Sequence, residues 1–177
     1  VTSDLRTLRV LSQLLGAAFS AYDYSWLVPD FSRDVAAELD FRREADNARR
    51  AAAHFATWPQ VHVPRVVESL STARVLTMEW IDGVRLDDRA GLASRRLRRG
   101  DFATLLSSTF AAMIFEHGFL HCDPHPGNLL ARRCPESGLF QLVLLDHGLC
   151  RELPPAFRAN YARLWCALLG GDAAAGR

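Results

Sequence analysis

Residues 118–130 read GFLHCDPHPGNLL and residues 144–149 read LLDHGL, and the fold is decided by taking these two stretches together. Pro124, Pro126 and Gly127 make the first stretch too irregular for a helix and hold Asp123 and Asn128 in one rigid loop. Between the two stretches, NLLAR (128–132) and FQLVLL (140–145) read as strands joined by a CPESG turn. The second strand is apolar on both faces, as a buried strand is. A hairpin brings its ends together, so Asp146 is expected beside Asn128. Two isolated Asp residues would mean nothing. The order D-x-x-x-x-N, hairpin, then Asp-x-Gly after four apolar residues is far more specific.

These residue types suit phosphoryl transfer. One carboxylate, Asp123, can orient or deprotonate the attacking hydroxyl, while the Asn128 amide oxygen and the Asp146 carboxylate can hold a cation on nucleotide phosphates. Magnesium prefers a few hard oxygen ligands completed by water and phosphate, so the expected cofactors are ATP and Mg2+.

Working outward, Phe102, Leu106, Phe110, Met113 and Ile114 form a helical stripe that Gly118 would cap in a left-handed conformation. Upstream, DDRAGLASRRLRRG (87–100) reads as a solvated loop, and VHVPRVVES (61–69) with ARVLTMEW (73–80) as two strands, followed by an Asp82-Gly83 turn. A long helix is expected from about 30 to 55, capped by Asp30 or Ser32, and another over about 3–20 with Leu8, Leu11, Leu15, Ala18 and Phe19 on one face. AYDYSWLVPD (21–30) separates the two. Downstream, Pro154-Pro155 opens a last helix with Phe157, Tyr161, Leu164, Trp165 and Leu168 expected inward and Gly170-Gly171 at its end.

The 177 residues, 49% hydrophobic and 23% charged, are enough for one globular core. The net charge of +1 offers no general attraction to nucleic acid, so no nucleic-acid partner is expected. All 21 basic residues are Arg; there is no Lys. Cys122, Cys134, Cys150 and Cys166 form no CxxC pair and read as reduced thiols. Beginning at Val1, with no signal-peptide pattern, the chain reads as an excerpt.

FLHCDPHPGNLL, LLDHGL and the upstream ELDFRREADN (38–47) together resemble the AarF/UbiB family of atypical kinases across nearly the whole chain. The H-x-D-x-x-x-x-N loop is shared with aminoglycoside-phosphotransferase-like kinases, whereas the E-x-D motif at Glu38 and Asp40 is particular to the family. DHG in place of DFG points to one subgroup of it. The resemblance implies an α+β protein-kinase-like fold, with residues 1–79 as part of an N-terminal lobe and 80–177 as most of a C-terminal lobe. It assigns the catalytic role to Asp123 and the metal-binding roles to Asn128 and Asp146. It sets His125 where kinases carry a Lys near the transferred phosphate, and His147 where the Phe of DFG packs. Glu44 corresponds to the helix Glu that pairs with a nucleotide-anchoring Lys; with no Lys here, Glu44 is expected unpaired or bonded to an Arg. On a helix running from 30, Asp40 and Glu44 would share a face within about 40°, with Glu38 pointing elsewhere. In the family, Glu38 would meet a Lys of a K-x-G-Q extension, which this chain lacks. LTMEWIDG (76–83) resembles the interlobe hinge, with Met78 as gatekeeper and Glu79 to Ile81 offering backbone groups to adenine.

The same resemblance implies a nucleotide partner, a protein Ser/Thr or lipid-related substrate, mitochondrial location and membrane association. Two other readings are open: a pseudokinase that uses nucleotide as a structural ligand, and a zinc or iron protein built on His117, His121, His125, His147, Cys122 and Cys150.

Overall fold

The computed structural model describes residues 40–170 together with Thr7, Val10 and Leu11. Those three isolated residues are helical, and Val10 and Leu11 are exposed; the rest of the expected 3–20 helix, the 21–30 break, the Asp30 and Ser32 caps and Glu38 lie outside the described residues.

Helix α1, Phe41–His54, starts later than expected because Asp40 is its cap. Asp40 is extended (φ −110°, ψ 95°) and accepts a hydrogen bond from Arg42 N at 3.1 Å. It therefore shares no helical face with Glu44, which corrects the expected pairing. The buried face of α1 is Ala45, Ala48 and Ala51. Such small side chains let the helix backbone approach what it covers.

Strand β1 (Val61–His62) and β2 (Val84–Arg85) flank the hairpin of β4 (Leu129–Arg133) and β5 (Phe140–Leu144), giving the order β1-β5-β4-β2. Here the two strand readings agree with the fold. Leu129 pairs with Leu144 and Arg133 with Phe140, while β1 runs parallel to β5. Ala131, Leu142, Val143 and Leu144 have no exposed surface, and burying a Val or Leu side chain contributes about 1.5–3 kcal/mol each. The 61–80 strand pair is shorter than expected: Pro64 interrupts it, and beyond β1 it is reduced to one Val66–Met78 bridge with its flanking hydrogen bonds.

Residues 87–100 are not simply a loop. Asp88 caps a short helix α2 (Arg89–Ser94) by accepting from Gly91 N at 2.9 Å, and Leu92 is driven into the core. Helix α3 (Arg99–Ala112) buries Phe102, Leu105, Thr109 and Ala112, so the stripe sits one residue from the expected one after its first turn, leaving Leu106 and Phe110 half-buried. It continues as a π-helical turn, Met113–His117, that ends at Gly118 with φ +64°. A second small sheet pairs β3 (Phe119–His121) with β6 (Cys150–Glu152). Finally α4 (Pro155–Leu169) begins at the expected proline, but its apolar face is not inward: Phe157, Leu164, Trp165 and Leu168 are exposed and only Ala167 is buried. Tyr161, on the same face, is half-buried and stacks on Phe115 at 5.7 Å.

Candidate active site

The hairpin delivers its two ends to one cleft of about 570 Å3, lined by Asp123, Asn128, Asp146, Glu44 and Met78 among others. Asn128 is buried and turns its amide nitrogen to Asp123, 3.1 Å from the carbonyl oxygen and 3.3 Å from Oδ2. An amide that donates through Nδ2 leaves Oδ1 as an acceptor. Leu145 N donates to Asn128 O at 2.8 Å, which fixes the approach of the following residue, Asp146.

Asp146 has φ +51°, a left-handed conformation that Asp tolerates better than most residues but that still costs about 1–3 kcal/mol. Its Oδ1 accepts from Gly148 N at 3.2 Å. A Cβ on Gly148 would lie 3.2 Å from that same oxygen, so a larger residue there would press on the carboxylate.

His121, buried at the end of β3, ties the two ends together. Its Nδ1 accepts from Asp123 N at 3.1 Å and its Nε2 lies 2.9 Å from Leu145 O. An amide can only donate and a carbonyl only accept, so the ring is held with its proton on Nε2. The same logic applies to His125, whose Nδ1 accepts from Gly127 N at 2.9 Å and whose Nε2 faces Asp123 Oδ2 at 3.6 Å. A Cβ on residue 127 would lie 2.5 Å from the His125 ring, so a larger residue there would displace that ring from its bond to the 127 amide.

Glu44 lines the cleft beside Asp146 and near the His147 backbone N–H. Burial lifts its carboxyl above the usual range and the nearby Asp146 charge adds to this, with the His147 amide working against both. One turn along, Asn47 Nδ2 donates to His147 O at 2.8 Å.

Of the hinge residues only Met78 reaches the cleft. The Glu79 side chain turns away to His62 Nε2 at 3.0 Å, Arg65 N at 3.2 Å and Arg132 at 3.6 Å. Burial works to raise its carboxyl, but the Arg65 amide, His62 and Arg132 together hold it below its ordinary range. Glu79 N is itself bonded to Arg65 O at 2.8 Å, and Ile81 is buried outside the cleft lining. The Glu79 amide is thus already engaged.

The His/Cys set proposed for a transition metal does not assemble. Among the described residues no group of three or more His, Cys, Asp or Glu side chains is arranged to hold a metal ion. His117 stacks on His54 at 4.5 Å, and burial pushes the Cys150 thiol up to about 12. A thiol so far from ionising is a poor ligand. The magnesium reading needs less from the protein: Asn128 Oδ1 and the Asp146 carboxylate are hard oxygen donors in a polar cleft, and they fit that ion.

His147 is buried edge-to-face against His121, at 5.3 Å, and its Nε2 finds no hydrogen-bond partner among the described residues. Burial first, then His121, pulls its pKa down to about 3. Unfolded, the ring titrates near 6.5, so this contribution to stability is complete above about pH 6.5 and is lost at up to about 1.4 kcal/mol per pH unit on acidification toward 3. His147→Phe should remove the unpaired nitrogen and this part of the acid sensitivity. Urea unfolding at pH 7 and 4.5 should give a drop smaller by about 2–3 kcal/mol in the variant; an equal drop would contradict the assignment.

Comparison with known proteins gives this arrangement a class. Over 97% of its length and 42% of the other chain, the protein superposes with a TM-score of 0.71 and 24% identity on the structure titled the complex of Rv3197 with erythromycin from Mycobacterium tuberculosis, which defines a kinase-like α+β fold. Residues 1–176 match the ABC1 atypical kinase-like domain, and the chain belongs to that family. It is 37% identical over 171 residues to AarF domain-containing protein kinase 1 of Gallus gallus, covering 97% of this chain and 33% of that protein. It is 43% identical over 155 residues to the probable serine/threonine-protein kinase abkB of Dictyostelium discoideum, covering 88% and 23%. The chain thus spans about a third or less of the length of these relatives. By the family resemblance the DHG triplet points to the subgroup of AarF domain-containing kinases 1 and 5, with kinase 5 as the expectation. The relatives carry the name of kinase 1, so the resemblance holds for the family and kinase 5 gains no support.

Proposed function

We propose that the chain is the cation-binding and catalytic-loop part of an ATP-dependent atypical kinase that transfers the γ-phosphoryl group to a hydroxyl. The observation that carries this reading is the convergence of Asp123, Asn128, Asp146 and Glu44 on one cleft, with Asn128 bonded to Asp123. Asp123, half-exposed at the cleft, accepts the proton of the incoming hydroxyl. Asn128 Oδ1 and Asp146 are the cation ligands. Magnesium held there would supply positive charge to offset the charge that develops on the phosphates during transfer. His125 presents its Nε2 edge beside Asp123, where it can donate to a transferred phosphoryl oxygen. Met78 sets one wall of the adenine pocket.

In this reading residues 1–79 belong to the N-terminal lobe and 80–177 to the C-terminal lobe. Some relatives are named probable serine/threonine kinases, which supports a protein hydroxyl as acceptor, with a lipid-related hydroxyl as the competing substrate. Family membership is also the basis for proposing a mitochondrial, membrane-associated setting. Among the described residues no helix is long and apolar enough to cross a membrane.

A second reading is a nucleotide-binding scaffold without turnover, in which the same cleft holds nucleotide as a structural ligand. Transfer of labelled γ-phosphate from ATP to protein and small hydroxyl acceptors, measured on a chain extended upstream, decides between them. Magnesium-dependent nucleotide binding with no transfer to any acceptor, and no hydrolysis, would favour the scaffold.

A further inference from the structure

Helix α1 reaches the His147 backbone through Asn47, whose Nδ2 donates to the His147 C=O at 2.8 Å. That bond has a longer reach than it first suggests. The His147 carbonyl and the Gly148 N–H belong to one planar peptide unit and point in opposite directions. That Gly148 N–H donates to Asp146 Oδ1 at 3.2 Å. One line of bonds therefore runs from Asn47 through the 147–148 peptide to the carboxylate of Asp146, and each bond polarises the next.

We propose that Asn47 is a positioning residue for the cation site, acting through this peptide to aim the Asp146 carboxylate. Glycine at 148 lets the peptide rotate cheaply, and Asp146 already sits in an unfavourable left-handed conformation, so something must hold the peptide plane. Asn47 does so from one side and Asp146 receives the result on the other. The position of α1 is then registered against the 146–148 segment by the hydrogen bond from Asn47 to its backbone. The proposal rests on reading Asp146 as a cation ligand.

Manganese titration of the 177-residue chain, followed by electron paramagnetic resonance, reads the cation site without requiring turnover. Amide exchange at Gly148, measured without metal, reads the peptide itself. Asn47→Ala and Asn47→Leu are both expected to weaken Mn2+ binding about 3- to 10-fold, the range for loss of one hydrogen bond. Gly148 exchange should accelerate by a similar factor, with the α1 amides unchanged. Asp46→Ala, an exposed neighbour on the same helix, should change neither. Unchanged Mn2+ affinity and Gly148 exchange in both Asn47 variants would overturn the proposal, as would loss of protection throughout α1, which marks a general packing role. If Asp146→Asn binds Mn2+ as the wild type does, the cation reading fails and this proposal with it. If Asp146→Asn weakens binding and the Asn47 variants do not, the clamp alone is wrong.

Discussion

Asp123→Asn is expected to slow phosphoryl transfer by about 10²- to 10⁴-fold, the ordinary contribution of a general base, while leaving nucleotide affinity nearly unchanged. Asp146→Asn should do the opposite first, weakening magnesium-dependent nucleotide binding by about 10- to 100-fold, as loss of a charged contact does. The two differ because Asp146 acts on the ground-state complex and Asp123 on the chemical step. Geometry supports the split: Asn128 is bonded to Asp123, whereas Asp146 is held by its own backbone turn. Nucleotide titration and single-turnover transfer in a chain extended upstream would separate them. Equal affinity and equal turnover in wild type and both variants would remove the kinase assignment.

The 177-residue chain taken alone should bind ATP weakly and transfer no phosphate. Kinases fix the α- and β-phosphates with a Lys held by the helix Glu and cover them with a glycine-rich loop. This chain has no Lys, and no such loop precedes α1 in its sequence. Arg is a poor substitute, since its planar fork does not deliver the same compact charge. Glu44 also carries a raised carboxyl pKa, because burial and the nearby Asp146 charge both disfavour its ionised form. Titration with MgATP, side by side with the upstream-extended chain, is the measurement. Micromolar affinity together with γ-phosphate transfer by the short chain would show that the missing groups are dispensable.

The hairpin and its two polar ends were legible in the sequence because strand period, turn chemistry and loop residues all agree there. Leu129–Arg133 and Phe140–Leu144 lie where alternation and apolar runs put them. Elsewhere one level of description misled. The apolar stripe of α4 was readable, but periodicity says only that Phe157, Trp165 and Leu168 share a side, not that anything lies against it. In 87–100 the charge density hid a short helix whose signal was Asp88 with Leu92 four residues on. β3 and β6, three residues each, are too short to have a period.

At the site, residue type announced Asp123, Asn128 and Asp146. His121 and Asn47 act through backbone groups, which have no letter in a sequence. The available hints were positional: a His two residues before the loop Asp, and an amide three residues after the helix Glu. For Glu79 the sequence suggests backbone groups offered to adenine; its carboxylate, which that reading leaves aside, is engaged by His62, Arg65 and Arg132.

The parallel pairing of Val61–His62 with Leu142–Val143 bears on how the chain is made. Gln141 Nε2 on Pro59 O at 2.9 Å and Leu142 N on Gln60 O at 2.8 Å reinforce the same junction, across 82 residues of sequence. A ribosome adding about 5–20 residues per second needs roughly 4–16 s to reach the second strand after the first. Through that interval Val61 and Val63 have no sheet to join, and Asp146 has not yet been synthesised. The candidate cleft therefore closes as one of the last events of synthesis of this region, and the 59–63 segment is the stretch that a chaperone would be expected to cover while it waits.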